Sequence, residues 1–349
     1  MDDQAQTDMA SSLKTAVNEI LSVINQERER EIITRRFGLF DRRETLEQIG
    51  ELLGITRERV RQLEKAILTR LKTSAEAGKI PALHDVERTL IRDLSANGRI
   101  GRITEVTNRL VDGQGTPHSR SHVAFVGELS PRLVIITEND NYHHAIAIAE
   151  HGDEKSYRGR IDDVVKTIKK HGQPLSLTDL DAQLNHEHPS HVAAHASASK
   201  LLAHLDDTWG LAKWPTVNPK NIRDKIYVIL AANGKPMHFS DIASAIKDSD
   251  FKRKDVTTQA IHNELIKDKR FVLIGRGIYA LDSWGFAKGT VSDIIVDVLK
   301  QAGQPLHRDE IVKRVLESRQ VKETTILLNL QSKPEFKRVA KATYELANK

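Results

Sequence analysis

Arg57, Glu58, Arg61, Gln62 and Lys65 lie within one stretch, GITRERVRQLEKAILTRL, at residues 54–71. Placed on a helix at 100° per residue, they spread over an arc of about 140°, facing away from Val60, Leu63, Ile67 and Leu71, which gather within about 80°. The chemistry open to such a face is hydrogen bonding to base edges. Arginine pairs bidentately with guanine, glutamine with adenine, and glutamate accepts from the amino group of cytosine, each good pair giving roughly 1–3 kcal/mol of discrimination. The competing assignment is a solvated face, with Arg57 and Arg61 unmatched and Glu58 near Gln62 or Lys65.

The flanking sequence supplies the elements that would present this face. Leu13, Val17, Ile20, Leu21 and Ile24 keep the spacing of an amphipathic helix over 11–24. Asn25 is placed to cap the next helix, 26–37, which ends at Gly38. Thr45 and Gln48 stand in the relation of a capping box at the start of LEQIGELL, Gly54 interrupts, and Thr56 offers an N-cap to a last helix reaching about Leu71. Two helices joined by a short glycine-containing turn are the helix-turn-helix pattern, whose second helix enters the major groove by its N-terminal half.

RERE at 28–31, RRFGL at 35–39 and TLEQIGELLGITRERVRQLEKAILTRL at 45–71 together resemble region 4 of primary-type bacterial sigma factors, over about residues 11–73. In that family the module recognises the −35 promoter element and docks on the flap of the RNA polymerase β subunit. The resemblance implies that Arg57, Glu58 and Gln62 face bases. It places Arg36, Thr45, Leu46, Glu47, Arg59 and Arg61 at or near phosphates, Leu46 and Glu47 partly through backbone amides at a helix N-terminus. Lys65, on the same face, is assigned to the DNA backbone with them. The loop FDRRE departs from the family in length and charge, so phosphate contacts by Arg42 and Arg43 are not carried over. Sigma factors also carry region 4 after the segments that bind the −10 element. Here it comes first and no such segments are recognised, so a stand-alone initiation factor is not expected.

After a linker at SAEAGKIPA, a phrase recurs: HGQPLSLTDL at 171, NGKPMHFSDI at 233, AGQPLHRDEI at 302 and a degenerate NGRIGRITEV at 97. Each follows an amphipathic helix and precedes two more helices and a hairpin with an aromatic residue, Tyr142, Trp209, Tyr279 and Tyr344 in turn, read as core. Glycine two residues before proline ends the first helix and sets the turn. The expected fold is therefore mainly α: a four-helix helix-turn-helix module at 11–73, then about four tandem winged helices at 84–148, 160–215, 220–284 and 289–347. The third and fourth copies resemble HARE-type winged helices, which implies DNA or protein binding without catalysis. In the third, Thr258, Gln259, His262 and Asn263 are the exposed candidates of its last helix. Arg276, between Gly275 and Gly277, is a possible wing contact suited to a minor groove or phosphate.

Other chemistries find little support. The 349-residue chain has no cysteine, which excludes disulfides and thiolate metal sites. His186, His188, His191, His195 and His204 cluster, but no acid completes a metal site, and they are read as a solvated helix face. No phosphate-binding glycine loop or nucleophile elbow occurs, so neither an enzyme nor a cofactor is expected. The net charge of +5 is compatible with a nucleic-acid partner. No apolar run approaches the roughly 20 residues of a membrane span, and the acidic N-terminus is unlike a secretory signal. The expectation is a cytoplasmic, nucleoid-associated regulator of transcription, sigma-factor-like, that binds double-stranded DNA and the RNA polymerase β flap, in an unknown oligomeric state. The alternatives are a polymerase-binding protein that mimics region 4, or the DNA-recognition subunit of a restriction or defence system.

Overall fold

The computed structural model describes residues 2–111, 113, 115–184, 188–251, 255–319 and 321–347. It is mainly helical, with small antiparallel three-stranded sheets, and divides into two units, Met1–Lys213 and Trp214–Lys349.

The first unit opens with α1 (Asp2–Ser22), α2 (Glu27–Phe37), α3 (Leu46–Leu53) and α4 (Arg57–Glu76). Asn25 does not cap α2. The N-cap is Gln26, which makes no side-chain capping bond, and Glu27 and Glu29 in the first turn supply the negative charge favoured there. The capping box at α3 is present in full: Gln48 N–H donates to Thr45 Oγ1 at 3.3 Å and Thr45 N–H to Gln48 Oε1 at 2.9 Å. At α4, Thr56 Oγ1 accepts from Arg59 N–H.

Ile32, Ile49 and Val60, with Leu46, Leu53, Ile55 and Leu63 around them, form a small core that sets the angle between α3 and α4. At this angle the turn passes so close to α3 that a Cβ on Gly50 would lie 2.7 Å from the carbonyl oxygen of Ile55. Gly50→Ala is therefore expected to destabilise the helix-turn-helix by about 1–3 kcal/mol, the usual range for overpacking, measurable as a lower midpoint of thermal unfolding.

The expected linker at 74–82 is mostly helix. α4 continues through Glu76, and α5 (Pro81–Ala96) begins five residues later. Ala75 and Ile80 are buried, because α1 and the C-terminal half of α4 pack into one core with the elements that follow. These are β1 (Ile100–Arg102), α6 (Ile103–Leu110), α7 (Pro117–Leu129), β2 (Leu133–Ile136) and β3 (Ala145–Ile148). Leu13, Val17 and Ile20 of α1, Ile67 and Leu71 of α4, Leu83 and Leu90 of α5, and Phe125 of α7 all belong to it. A fully buried side chain of this size is worth about 1.5–3 kcal/mol, so the interface is a stabilising one.

The unit continues with α8 (Glu154–His171), β4 (Leu175–Ser176), α9 (Leu177–Leu184), α10 (Pro189–Ala198), β5 (Leu202–Leu205) and β6 (Thr208–Leu211). The second unit holds α11 (Ile222–Asn233), β7 (Met237–His238), α12 (Phe239–Asp248), α13 (Thr258–Lys267), β8 (Phe271–Gly275) and β9 (Ile278–Leu281). It ends with α14 (Val291–Ala302), β10 (Leu306–His307), α15 (Arg308–Ser318), α16 (Glu323–Ser332), β11 (Phe336–Ala340) and β12 (Thr343–Leu346). All four sheets share one topology, in which the last strand pairs between the other two. A small sheet of this topology packed on short helices is winged-helix-like.

Strand register corrects one equivalence. Trp209, Tyr279 and Tyr344 pair with Leu175, Met237 and Leu306, but the residue that pairs with Ile100 is Ala147, not Tyr142. Tyr142 lies in the β2–β3 connection, forms an isolated bridge with Ser199, and donates its hydroxyl to Asp162 Oδ1 at 2.8 Å. Burial, with Asp162 beside it, pushes that hydroxyl up to about 12, so it remains a neutral donor. Tyr142 is thus core, as expected, but in a cluster shared with Tyr157, Ile161 and Ala198 of the next repeat.

Candidate nucleic-acid interface

Arg57, Glu58, Arg61, Gln62 and Lys65 are all exposed on α4, with Val60 buried behind them. The assumption that Arg57 and Arg61 lack partners is overturned. Arg57 Nη1 pairs with Glu47 Oε1 at 2.7 Å across the turn. Arg61 grips Glu58 with both Nε (2.8 Å) and Nη2 (2.7 Å). Gln62 is drawn into the same network, 3.5 Å from Glu58 Oε1 and accepting from Arg59 Nη1 at 3.3 Å. Arg61's hydrogen bonds hold the Glu58 carboxyl below the usual carboxylate range and raise the Arg61 guanidinium in turn. Exposed pairs of this kind contribute little because water screens them, less than a good bidentate contact to a base. The network orders these side chains without locking them.

The residues assigned to phosphates gather beside this face. The capping box engages Thr45 and Gln48, while the amides of Leu46 and Glu47, in the first turn of α3, have no intrahelical acceptor and lie at the positive end of the helix dipole. Half-buried Arg36 is held by Glu64 Oε1 at 3.2 Å and by the carbonyl of Glu44 at 3.3 Å. Arg59 is exposed on α4.

Other candidates fall elsewhere. Arg276 is exposed at the tip of the β8–β9 hairpin. Thr258, Gln259 and Asn263 are exposed on α13, with Gln259 donating to Asn263 at 3.1 Å. His262 does not join them, because its ring packs between Phe239 (5.0 Å) and Tyr279 (6.2 Å). The solvated histidine face is likewise corrected: His195 is 3% exposed and stacks on Tyr157, and His188 accepts from Ser190 N–H as the N-cap of α10. His186 lies outside the described residues. Among those described, no group of three or more histidines and acids is arranged to hold a metal.

One set of contacts was not read from the sequence. α7 grips the connection between α2 and α3: His122 Nε2 is 2.8 Å from the carbonyl of Leu39, Phe125 packs on Phe37 at 4.7 Å between centroids, and Glu128 pairs with Lys72 of α4 at 2.8 Å. The apolar pattern of α7 marks it as buried, but nothing local names its partner.

Residues 26–73 match the family described as Sigma-70, region 4. The chain carries a sigma-factor-like, DNA-binding domain. The RNA polymerase sigma factor RpoD of Helicobacter pylori strain 26695 is 43% identical over 74 residues, which are 21% of this chain and 11% of that protein; the RpoD of strain J99 matches equally. The RNA polymerase sigma factor SigA of a Bacillus species is 38% identical over 69 residues, 20% of this chain and 18% of its own. The chain thus spans between about a tenth and a fifth of the length of these relatives. No described helix is long and apolar enough to cross a membrane.

Proposed function

We propose that this protein is a cytoplasmic, sequence-specific regulator of transcription that reads a −35-like promoter element with α4 and docks on RNA polymerase. The observation that supports this reading most is the grouping of exposed Arg57, Glu58 and Gln62 beside Arg36 and the open N-terminus of α3. On this reading, base-reading groups stand next to phosphate-binding ones. The four repeats, read as winged helices bounded at 84–148, 160–215, 220–284 and 289–347, the last two HARE-type, add contacts to DNA or protein.

Magnitude favours such additions. Three reading side chains at about 2 kcal/mol each give about 6 kcal/mol of discrimination, in the lower part of the roughly 4–10 kcal/mol that separates specific from non-specific sites. Further contacts from the repeats or from polymerase would supply the remainder.

Selection of duplexes from a random pool with the full chain tests the reading. Enrichment of one motif, lost in a Gln62→Ala variant, is the expected result. Capture of the polymerase β flap without any enriched motif would instead favour a protein that mimics region 4.

A further inference from the structure

The sheet of the third repeat leaves β8 at its edge, because β9 pairs between β7 and β8. Natural proteins guard such edges with charge, proline or a covering element, since their outward backbone groups invite another strand. The edge strand of the fourth repeat, β11, carries exposed Lys337 and Arg338, that of the second, β5, carries exposed His204, and the side chains of β2 in the first are packed on both faces. β8 reads FVLIG, with neither charge nor proline. Asp282 N–H donates to the carbonyl of Arg270 at 2.8 Å. Alternation then puts the next ladder bonds between Val272 and Ala280, and turns the N–H and C=O of Leu273 away from β9.

The side chains beside this edge are apolar. Val272 and Ile274, on one face of the sheet, are covered by Trp284 and Phe286. Leu273 is on the other face with its cross-strand partner Tyr279, whose ring meets His262 of α13. Leu273 thus faces the side on which α13 packs, yet it is 45% exposed. On α13, Ile266 follows His262 by one helical turn and is 65% exposed. Lys267, Lys269 and Arg276 around them are exposed. The neighbouring acids are already matched: Glu264 with Arg223 at 3.1 Å, Asp268 with Arg270 at 2.8 Å and Asp282 with Lys288 at 2.8 Å. The result is an unguarded strand edge, an apolar wall and a basic rim.

We propose that β8 receives an extended segment of a partner protein by strand addition, a short run with apolar residues at alternate positions and Asp or Glu at its ends. The added strand bonds to the outward N–H and C=O of Leu273, its inward side chains cover Leu273 and Ile266, and its acidic ends meet Lys267, Lys269 and Arg276. A second copy of β8 fits less well, because antiparallel pairing about Leu273 sets Arg270 against Arg276. Duplex DNA also fits less well, because its affinity comes mainly from phosphate contacts, to which Ile266 and Leu273 add nothing. The proposal goes beyond the promoter-reading function and does not require it.

Panning a displayed library of random peptides on the full chain tests this. The expected result is enrichment of peptides with alternating apolar residues and acidic ends. A synthetic peptide of the enriched sequence should bind about tenfold more weakly to Ile266→Ser, which removes the apolar wall. It should also bind more weakly to Leu273→Pro, which deletes an outward N–H while sparing the ladder. The doubly substituted Lys267→Glu, Lys269→Glu chain, altered only at exposed positions, should instead select peptides with basic ends. Duplex binding should be unchanged in Ile266→Ser. Enriched peptides without the alternating pattern, or unchanged end preference in the Lys→Glu chain, overturns the proposal. So does loss of duplex affinity in Ile266→Ser, which would make the surface a DNA contact, or self-association abolished by Leu273→Pro, which would make it a contact between copies. None of these outcomes bears on base reading by α4, which the duplex selection tests separately.

Discussion

Arg57→Ala and Gln62→Ala are expected to flatten sequence preference, each at its own base pair, by about 1–3 kcal/mol, a factor of roughly 5 to 150, with little change in affinity for unrelated DNA. Arg36→Ala is expected to do the reverse, weakening all duplexes together and reducing the salt slope by about one. The distinction follows from geometry. Arg57 and Gln62 are on the exposed half of α4 with only solvent-exposed partners, so truncating Arg57 releases Glu47 into water at small cost, and truncating Gln62 leaves Glu58 on Arg61. Arg36 is half-buried between Glu64 and the Glu44 carbonyl, at the base of the surface formed by α3. On the proposed reading, its removal takes away a positioned charge that any DNA sequence would meet. Parallel titrations of selected and unrelated duplexes read both effects. Equal losses on every duplex by all three substitutions would sink the assignment of α4 as the base-reading helix.

What could be read in advance was what is local. The Thr45–Gln48 box, the Thr56 cap and the helix-ending glycines at 38 and 54 depend on residues within one turn, and the structure contains them as read. The apolar stripe of α1 likewise marked a buried face, but a stripe does not name its partner. It packs with α5 and α7, so the first repeat shares a core with the sigma-like domain. The same long-range packing carries α4 past Leu71, because burying Ala75 rewards another turn of helix. His195 and His262 were misjudged for a related reason: Tyr157, Phe239 and Tyr279, which shelter them, come from other elements. Tyr142 was set beside Trp209, Tyr279 and Tyr344 from the repeated order of elements, and only strand pairing shows that Ala147 faces Ile100. The partners of Arg57 and Arg61 show both cases, one ten residues away across a turn and one a single helical turn back on the same face.

Phe125→Ala is the substitution expected to cost most in stability, about 3–5 kcal/mol by the usual range for a buried phenylalanine, against the roughly 5–15 kcal/mol that holds a domain folded. Phe125 is fully buried, packs on Phe37 at the end of α2, and lies in the core that α1 and α4 share with α5 and α7. Two cores meet in α4: the small one around Ile49 and Val60, which sets the angle between α3 and α4, and the large one, which carries its C-terminal half. If the large core is one cooperative unit, its loosening should appear as faster amide exchange in α1, α2 and the C-terminal half of α4, together with α5 and α7. The small core should keep the α3–α4 turn protected longer. Sequence preference would then survive at temperatures where affinity has begun to fall, because the angle between α3 and α4 outlasts the surface that flanks it. Loss of protection confined to α5 and α7, with α1, α2 and α4 unchanged, would show instead that the sigma-like domain folds on its own and that the first repeat only leans on it.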